Sequence, residues 1–189
     1  MVTKSILVVI VVLLLYFGYQ AYMASPIRGS FQLPFMPKQN MTIKSSAFSE
    51  GAMIPSRYTC DGQNVNPPLN FYAIPPFTKS LVLIVTDPDS SSGTFTHWIL
   101  YNISPLENNT PENSLPKDSG TIPNDFGNPG YGGPCPLIGI HHYVFTLYAL
   151  DTYLNLPSDS KKADLENSIQ NHILATAKLT GIYERKASQ

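Results

Sequence analysis

Seventeen prolines divide the 189 residues of this chain into short segments, and they limit the possible fold more than any other feature. Proline is unfavourable inside helices and inside central strands, so long helices are disfavoured. The 11 tyrosines and 9 phenylalanines are residues that strands favour. We therefore expect a mainly β fold, and the length allows one domain with a sizeable core.

Three segments predict strands by their side-chain pattern. Residues 81–85 form an unbroken aliphatic run, which is typical of a strand covered on both faces. Residues 95–103 and 141–150 carry the alternation expected of strands. The stretch between them, residues 104–140, is rich in proline, glycine and asparagine and is too long for a hairpin turn. We expect it to be a crossing connection or a functional loop.

One helix is predicted near the C-terminus, capped by Ser158 or Asp159. It rests on a four-residue spacing of apolar side chains. The residues at this spacing are Leu165, Ile169, Ile173 and Ala177. Residues 179–184 would then close the domain as a short strand, packed in an antiparallel core with the helix against it.

The N-terminal segment differs from the rest of the chain, because residues 5–23 carry no charge. As a helix they would extend ~28 Å, about one hydrocarbon thickness of a bilayer. A cleaved signal peptide is the alternative, but cleavage after Ala24 would need a small residue where Tyr22 stands. We predict a transmembrane anchor over residues 1–23, with the domain outside the cytoplasm because Lys4 precedes the segment.

Residues 24–40 contain three prolines and show no periodicity, which predicts a semi-extended tether. The globular domain is expected over residues 41–185, followed by a tail over 186–189. Its charge gives no indication of a nucleic-acid or polybasic membrane surface. The 12 basic and 13 acidic residues of the chain are dispersed and sum to a net charge of −1.

Polar side chains occur at the ends of the predicted strands. Asp87 and Asp89 follow the aliphatic run, and His97 lies within the next predicted strand. Strand alternation places His141 and Tyr143 on one face of the third strand and His142 on the other. An isolated Asp-Pro-Asp is usually only a turn, and a single histidine is usually a core residue. Their combination beside the glycine-rich residues 124–136 predicts a small pocket.

Several motifs of this sequence resemble the phosphatidylethanolamine-binding protein family, in its prokaryotic Raf-kinase-inhibitor-like branch. They extend over nearly all of residues 41–185. The motifs are YTCDG at 58–62, DPD at 87–89, THW at 96–98, NDFG at 124–127, GYGGPCP at 130–136 and HHYVFTLYALD at 141–151.

The resemblance implies an antiparallel β core with peripheral short helices and a non-enzymatic anion pocket that needs no metal or cofactor. The implied ligand is phosphate-bearing or another small anion, such as a lipid headgroup, a nucleotide or a phosphoprotein, and the implied role is regulatory or lipid-associated at the membrane. A kinase or protease is a possible protein partner, which the chain would inhibit through its surface. The implied pocket residues are Asp87, Asp89, His97, Gly133, His141 and Tyr143.

Imidazole N–H groups, the Tyr143 hydroxyl and the amides of the glycine turn could donate hydrogen bonds to phosphate oxygens. A free carboxylate would repel an anion, so Asp87 is expected to orient a histidine by accepting from one ring nitrogen. The chain departs from the family pattern at Ser90-Ser91, Leu137 and His142, where the family has Ala-Pro, a second proline and an arginine.

The resemblance also places Cys60 and Cys135 near the pocket. In an oxidising compartment they could form a disulfide, and the alternative is two small buried thiols.

Two enzyme functions are alternatives to ligand binding. Histidines and aspartates could ligate zinc in a metal-dependent hydrolase. Cys135 could be a nucleophile with His141 as base, but its position between two prolines does not favour a thiolate. His172, in the predicted helix, is expected to have a packing or capping role.

Overall fold

The computed structural model describes residues 13–20 and 40–185. Residues 13–20 are helical. Within the described residues no helix is both long enough and apolar enough to cross a membrane. The predicted anchor over residues 1–23 and the tether over 24–40 lie for the most part outside the described ranges, and so does the tail.

Residues 40–185 contain two antiparallel sheets. The smaller sheet has the order β1-β2-β5, and the larger has the order β6-β4-β3-β7-β8. Their strands are β1 (Thr42–Ser45), β2 (Leu69–Tyr72), β3 (Ser80–Asp87), β4 (Phe95–Ile103), β5 (Asn109–Thr110), β6 (Gly120–Thr121), β7 (Ile140–Leu150) and β8 (Ile173–Glu184). The mainly β fold and the three predicted strands are confirmed.

The aliphatic run lies in β3, the central strand of the larger sheet, and is covered on both faces as predicted. Leu81, Leu83 and Val85 pack on one face, in a cluster that includes side chains of the smaller sheet. Val82 and Ile84 pack on the other face, where the helix contributes. Because both faces are dry, every side chain of the run is apolar.

The helix is shorter than predicted, and this part of the prediction was wrong. It spans Lys162–Ile169 (α1) and begins after Lys161, whose backbone amide donates to Asp164 Oδ2 at 2.8 Å. Ile173 and Ala177 belong instead to β8, a strand of twelve residues rather than six. A spacing of four is also a multiple of the strand period of two, so both structures fit the pattern. These residues form a strand rather than a helix because β8 pairs with β7 along its length.

Because neighbouring strands are antiparallel, the termini of three strands lie together at one end of the larger sheet. There β3 ends at Asp87, β4 begins at Phe95 and β7 begins at Ile140. The long connection between β4 and β7 returns to the same end of the sheet. The polar residues at the strand termini therefore lie close together there.

Candidate functional site

A cavity of about 600 Å³ opens at this end of the larger sheet. That volume is typical of small-molecule sites. Its lining includes five of the six predicted site residues: Asp87, Asp89, His97, His141 and Tyr143. The remaining lining residues are Ser90, Ser91, Phe95, Phe126, Cys135, Pro136, Leu137 and Ile138.

Asp87 and His141 form the polar centre of the cavity. Nδ1 of His141 donates to Oδ2 of Asp87 at 2.7 Å. The other carboxylate oxygen of Asp87 accepts the backbone amide of Asp89 at 2.8 Å. Asp87 therefore fixes the orientation of the His141 ring and leaves Nε2 as the ring nitrogen that can meet a ligand.

Asp89 and His142 form a second pair at the rim. Oδ2 of Asp89 accepts both the backbone amide and Nδ1 of His142, each at 2.7 Å. These hydrogen bonds, the backbone one foremost, lower the pKa of Asp89. His142 itself is exposed and does not line the cavity. As the strand alternation predicted, the two neighbouring histidines point to opposite faces.

His97 reaches the cavity through an irregularity of β4. In the pairing of β3 with β4, Val85 faces Trp98 and Thr86 faces Thr96, so His97 is an extra residue. Such a bulge changes the direction of a side chain relative to strict alternation. The ring of His97 lies 5.1 Å from the ring of Tyr143, between centroids.

The His97 ring is buried and hydrogen-bonded at one nitrogen. Nδ1 lies 2.7 Å from the carbonyl oxygen of Gly132, which can only accept, so Nδ1 carries the proton. Burial lowers the pKa of His97, although the Gly132 carbonyl and the charge of Asp87 oppose this effect. Burial thus favours the neutral ring near pH 7, while the Gly133 backbone also acts against this effect.

Tyr143 contributes a hydroxyl that is enclosed by protein close to Asp87. The residue is fully buried, and its oxygen has no partner with hydrogen-bond geometry among the described residues. Burial raises the pKa of Tyr143, and the negative charge of Asp87 raises it further. The hydroxyl of this lining residue is therefore neutral.

Gly133 is the sixth predicted site residue, and the structure places it beside this cavity. It lines an adjoining cavity of about 250 Å³ rather than the one around His141, and its amide donates to Asn64 Oδ1 at 2.8 Å. The amide of Gly132 is also used, since it donates to the carbonyl of His97 at 2.9 Å. The glycine turn therefore offers no free amide at these two positions. Gly133 is required by close packing, because a Cβ there would lie 2.5 Å from the Tyr58 carbonyl oxygen.

The walls of the cavity are aromatic and aliphatic. Phe126 packs edge-on against Phe95 and His97, with ring centroids 4.8 and 5.4 Å away. At the rim, Leu137 and Ile138 are 89% and 85% exposed. Sequence reasoning identified Ser90-Ser91 and Leu137 only as departures from the family pattern, and it assigned neither them nor the other three apolar residues to the pocket. Their positions beside the DPD, NDFG and GPCP motifs were the available indication.

The structure joins Cys60 and Cys135 in a disulfide with a Cα–Cα distance of 5.4 Å. Cys135 lines both cavities, so the bond connects the loop after the 3₁₀ turn Ser56–Tyr58 to the pocket wall. His172 lies in the turn between α1 and β8, not in a helix. Its amide donates to the carbonyl of Ile169 at 2.9 Å, a capping role at the helix end.

Comparison with known proteins connects this site to a family. The sequence profile described as phosphatidylethanolamine-binding protein matches residues 44–184. A UPF0098 protein of Methanothermobacter thermautotrophicus is 47% identical over 150 residues, which are 77% of this chain and 99% of that protein. A protein of Mycobacterium tuberculosis, named as a candidate lipoprotein, LppC, is 37% identical over 153 residues, covering 80% of this chain and 76% of its own.

Two solved structures of family members have a similar fold. A phosphatidylethanolamine-binding protein homolog from Chlamydia trachomatis has a TM-score of 0.74 and 41% identity, covering 78% of this chain and 99% of that one. YbcL of Escherichia coli, described as a member of the mammalian family, has a TM-score of 0.73 and 30% identity, covering 78% of this chain and all of its own. The profile match spans the domain that contains the cavity. The chain belongs to the phosphatidylethanolamine-binding protein family.

Proposed function

We propose that the domain binds a phosphate-bearing or other small anionic ligand in the cavity around His141, without changing it chemically. The observation that carries this proposal is the 2.7 Å hydrogen bond between Asp87 and His141 inside an otherwise largely apolar cavity. The Asp87 side chain is only 6% exposed, so its carboxylate needs a partner, and the histidine has a second nitrogen left for a ligand. This arrangement holds a ring in place for recognition.

The Asp87–His141 pair also explains how an anion can bind close to a carboxylate. When His141 takes up a proton, its ring carries a positive charge between Asp87 and the ligand, and both ring nitrogens donate. The anion then meets the imidazolium rather than the carboxylate. The Tyr143 hydroxyl supplies a further donor. A lipid headgroup, a nucleotide and a phosphoprotein share the phosphate chemistry that this site would recognise.

Binding is better supported than the two enzyme functions. The sulfur of Cys135 is bonded to Cys60, so it is not a thiolate nucleophile in this form of the protein. Among residues 13–20 and 40–185, no three histidine, cysteine, aspartate or glutamate side chains converge in a metal-ligand set. The polar groups of the cavity serve recognition without either chemistry.

Titration calorimetry with inorganic phosphate tests the proposal. We expect binding by the wild-type protein and at least about tenfold weaker binding by His141→Ala, because the oriented ring is lost. His172→Ala is the matched control, since Nδ1 of His172 lies 2.7 Å from Asp151 in an exposed pair that does not line the cavity. Equal affinity of wild type and His141→Ala would place the anion elsewhere.

The exposed rim favours a second candidate, inhibition of a protein partner such as a kinase or protease. Leu137 and Ile138 are large apolar side chains in solvent at the mouth of the cavity, a common feature of contact surfaces. The double variant Leu137→Ser, Ile138→Ser would then lose inhibition in a panel of kinases and proteases while keeping phosphate affinity. Absence of inhibition by the wild-type protein would exclude this candidate for the enzymes of the panel.

Attachment to a membrane outside the cytoplasm completes the proposed function. The uncharged residues 5–23 support it, as does the mycobacterial relative named as a candidate lipoprotein. A disulfide is typical of an oxidising compartment. Fractionation of cells should find the full chain with membranes and a chain lacking residues 1–23 in the soluble fraction. A full chain recovered in the soluble fraction would contradict attachment.

A further inference from the structure

The end of the larger sheet opposite the cavity is formed by three neighbouring strands. There β3 begins at Ser80, while β4 ends at Ile103 and β7 ends at Leu150. These strands are adjacent in the sheet, in the order β4-β3-β7. Neighbouring strands lie about 4.8 Å apart, so the loops that leave these three strand ends start within about 10 Å of each other.

Each of these loops carries one large apolar or aromatic side chain that projects into solvent. Phe77, before β3, and Leu106, after β4, are each 91% exposed, and Tyr153, after β7, is 64% exposed. We call these three residues the apolar end of the domain. Single exposed apolar residues are ordinary on a protein surface, but a group of them on adjacent loops is typical of a contact surface.

The backbone at each of these positions is restrained, so the side chains are held outward. The amide of Leu106 donates to Ser104 Oγ at 3.3 Å. Tyr153 directly precedes a residue whose amide and carbonyl both bond the side chain of Asn102, each at 2.8 Å. Phe77 follows two consecutive prolines, which restrict the backbone before it. Loops held in this way lose little conformational freedom when they make a contact.

The chain enters the domain at the apolar end. β1 begins at Thr42, which pairs with Tyr72 at the end of β2, and the connection from β2 to β3 contains Phe77. Residues 24–40 join this point to the uncharged residues 5–23. Fully extended, this connection spans at most about 60 Å. A bilayer that holds residues 5–23 is therefore within reach of the apolar end.

The charges of these loops give no preference for an anionic surface. They are one positive residue, Lys79, and two negative residues, Glu107 and Asp151. The apolar side chains would therefore supply the affinity for a bilayer. Phenylalanine and leucine gain from leaving water, and a tyrosine ring suits the bilayer interface because its hydroxyl stays hydrated.

We propose that the apolar end docks on the bilayer that anchors the chain, with Phe77, Leu106 and Tyr153 inserted into the bilayer interface and the cavity opening away from it. This inference rests on the membrane attachment in the proposed function. From this end β3 runs eight residues to Asp87 in the cavity, about 23 Å at 3.3 Å per residue. A phosphate-bearing ligand would then reach the cavity from the aqueous phase rather than from the headgroups of the anchoring membrane.

Fluorescence quenching of the full chain in phosphatidylcholine vesicles tests this orientation. One added cysteine carries the uncharged fluorophore nitrobenzoxadiazole, and it reacts selectively because Cys60 and Cys135 are bonded to each other. Leu106→Cys is the test position. Leu137→Cys is the matched control, since Leu137 is 89% exposed at the cavity rim. We expect lipids with spin-labelled acyl chains to quench the fluorophore at position 106 but not at 137, and aqueous iodide to give the reverse pattern.

The outcomes separate the docking from the attachment. Lipid quenching at position 137, or at neither position of a vesicle-bound chain, would overturn the docking and leave the attachment standing. Protection of position 106 from iodide without lipid quenching would indicate a second copy of the chain on this surface and would also overturn the docking on lipid. A chain that stays in solution when the vesicles are sedimented would overturn both.

The double variant Phe77→Ser, Tyr153→Ser, made together with the labelled Leu106→Cys, supplies a second readout. Both side chains lie in solvent, so the variant should keep the cooperative thermal melt of the unsubstituted chain. Burial of one large apolar side chain favours the docked state by about tenfold or more, so the ratio of docked to undocked domains should fall about a hundredfold. Lipid quenching at position 106 should be lost while the chain stays with the vesicles. Unchanged quenching would show that these side chains do not hold the domain on the bilayer.

Discussion

The carboxylate of Asp87 lies 2.7 Å from Nδ1 of His141, and the carboxylate of Asp151 lies at the same distance from Nδ1 of His172. The two pairs have the same chemistry and differ in their surroundings. The side chains of the first pair are 6% and 16% exposed, whereas those of the second are 48% and 45% exposed. The molecule thus contains its own control for the effect of burial on this interaction.

Asp87→Ala should lower the free energy of unfolding by about 2–3 kcal/mol, since it leaves a partly buried imidazole N–H and the Asp89 amide without their acceptor. Asp151→Ala should change it by about 0.5 kcal/mol or less, because solvent replaces the lost partner. Urea denaturation at pH 7 measures both. Equal losses would mean that burial does not govern the strength of the pair.

Gly133→Ala should destabilise the fold whether or not ligand is present. The added methyl would lie 2.5 Å from both the Tyr58 carbonyl oxygen and Asn64 Oδ1, so backbone must move, at an expected loss of about 1–3 kcal/mol. The midpoint of thermal unfolding measures this loss. An unchanged midpoint together with lost phosphate affinity would return Gly133 to the ligand-binding role that the family resemblance implies.

Acid should destabilise the domain through His97. Its folded pKa lies below the unfolded value of about 6.5, so the unfolded chain binds more protons as the pH falls below that value. Stability is therefore retained above pH ~6.5 and lost below it, by up to about 1.4 kcal/mol per pH unit. His97→Gln should flatten this part of the curve in urea titrations between pH 7 and 5. An identical slope in wild type and variant would assign the acid sensitivity to other groups.

Reduction of the disulfide should lower stability by about 4.5 kcal/mol at most, the chain-entropy limit for cysteines at a sequence separation of 75. Thermal melts with and without reductant measure the difference. The double variant Cys60→Ser, Cys135→Ser should melt at one temperature under both conditions. Sensitivity of this variant to reductant would show that the effect does not come from the bond.

Strand positions and the direction of the key side chains were predictable from sequence, because period-two alternation leaves few alternatives. Residues 95–103 match β4 in full, and residues 141–150 match β7 to within one residue. The same rule placed His141 and Tyr143 together and His142 apart. The orienting role expected for Asp87 has its geometric counterpart in the bond to His141.

The rest depends on contacts between distant parts of the chain. The helix was extended too far because nothing local distinguishes Ile173 and Ala177 in a strand from the same residues in a helix. The bulge at His97 arises from pairing with β3, which no single strand reveals. The role of Gly133 depends on Asn64 and Tyr58, which approach it from about 70 residues away in the chain.

The Asp-Pro-Asp turn faces two consecutive histidines, and each aspartate takes one of them. A slip of β7 by one residue against β3 would move His142 into the cavity and His141 into solvent, because each residue changes face. The recognition chemistry is thus tied to strand alignment. Single-residue insertions or deletions within β3 near Asp87 or within β7 near His141 should be rare among functional relatives, even where substitutions are tolerated.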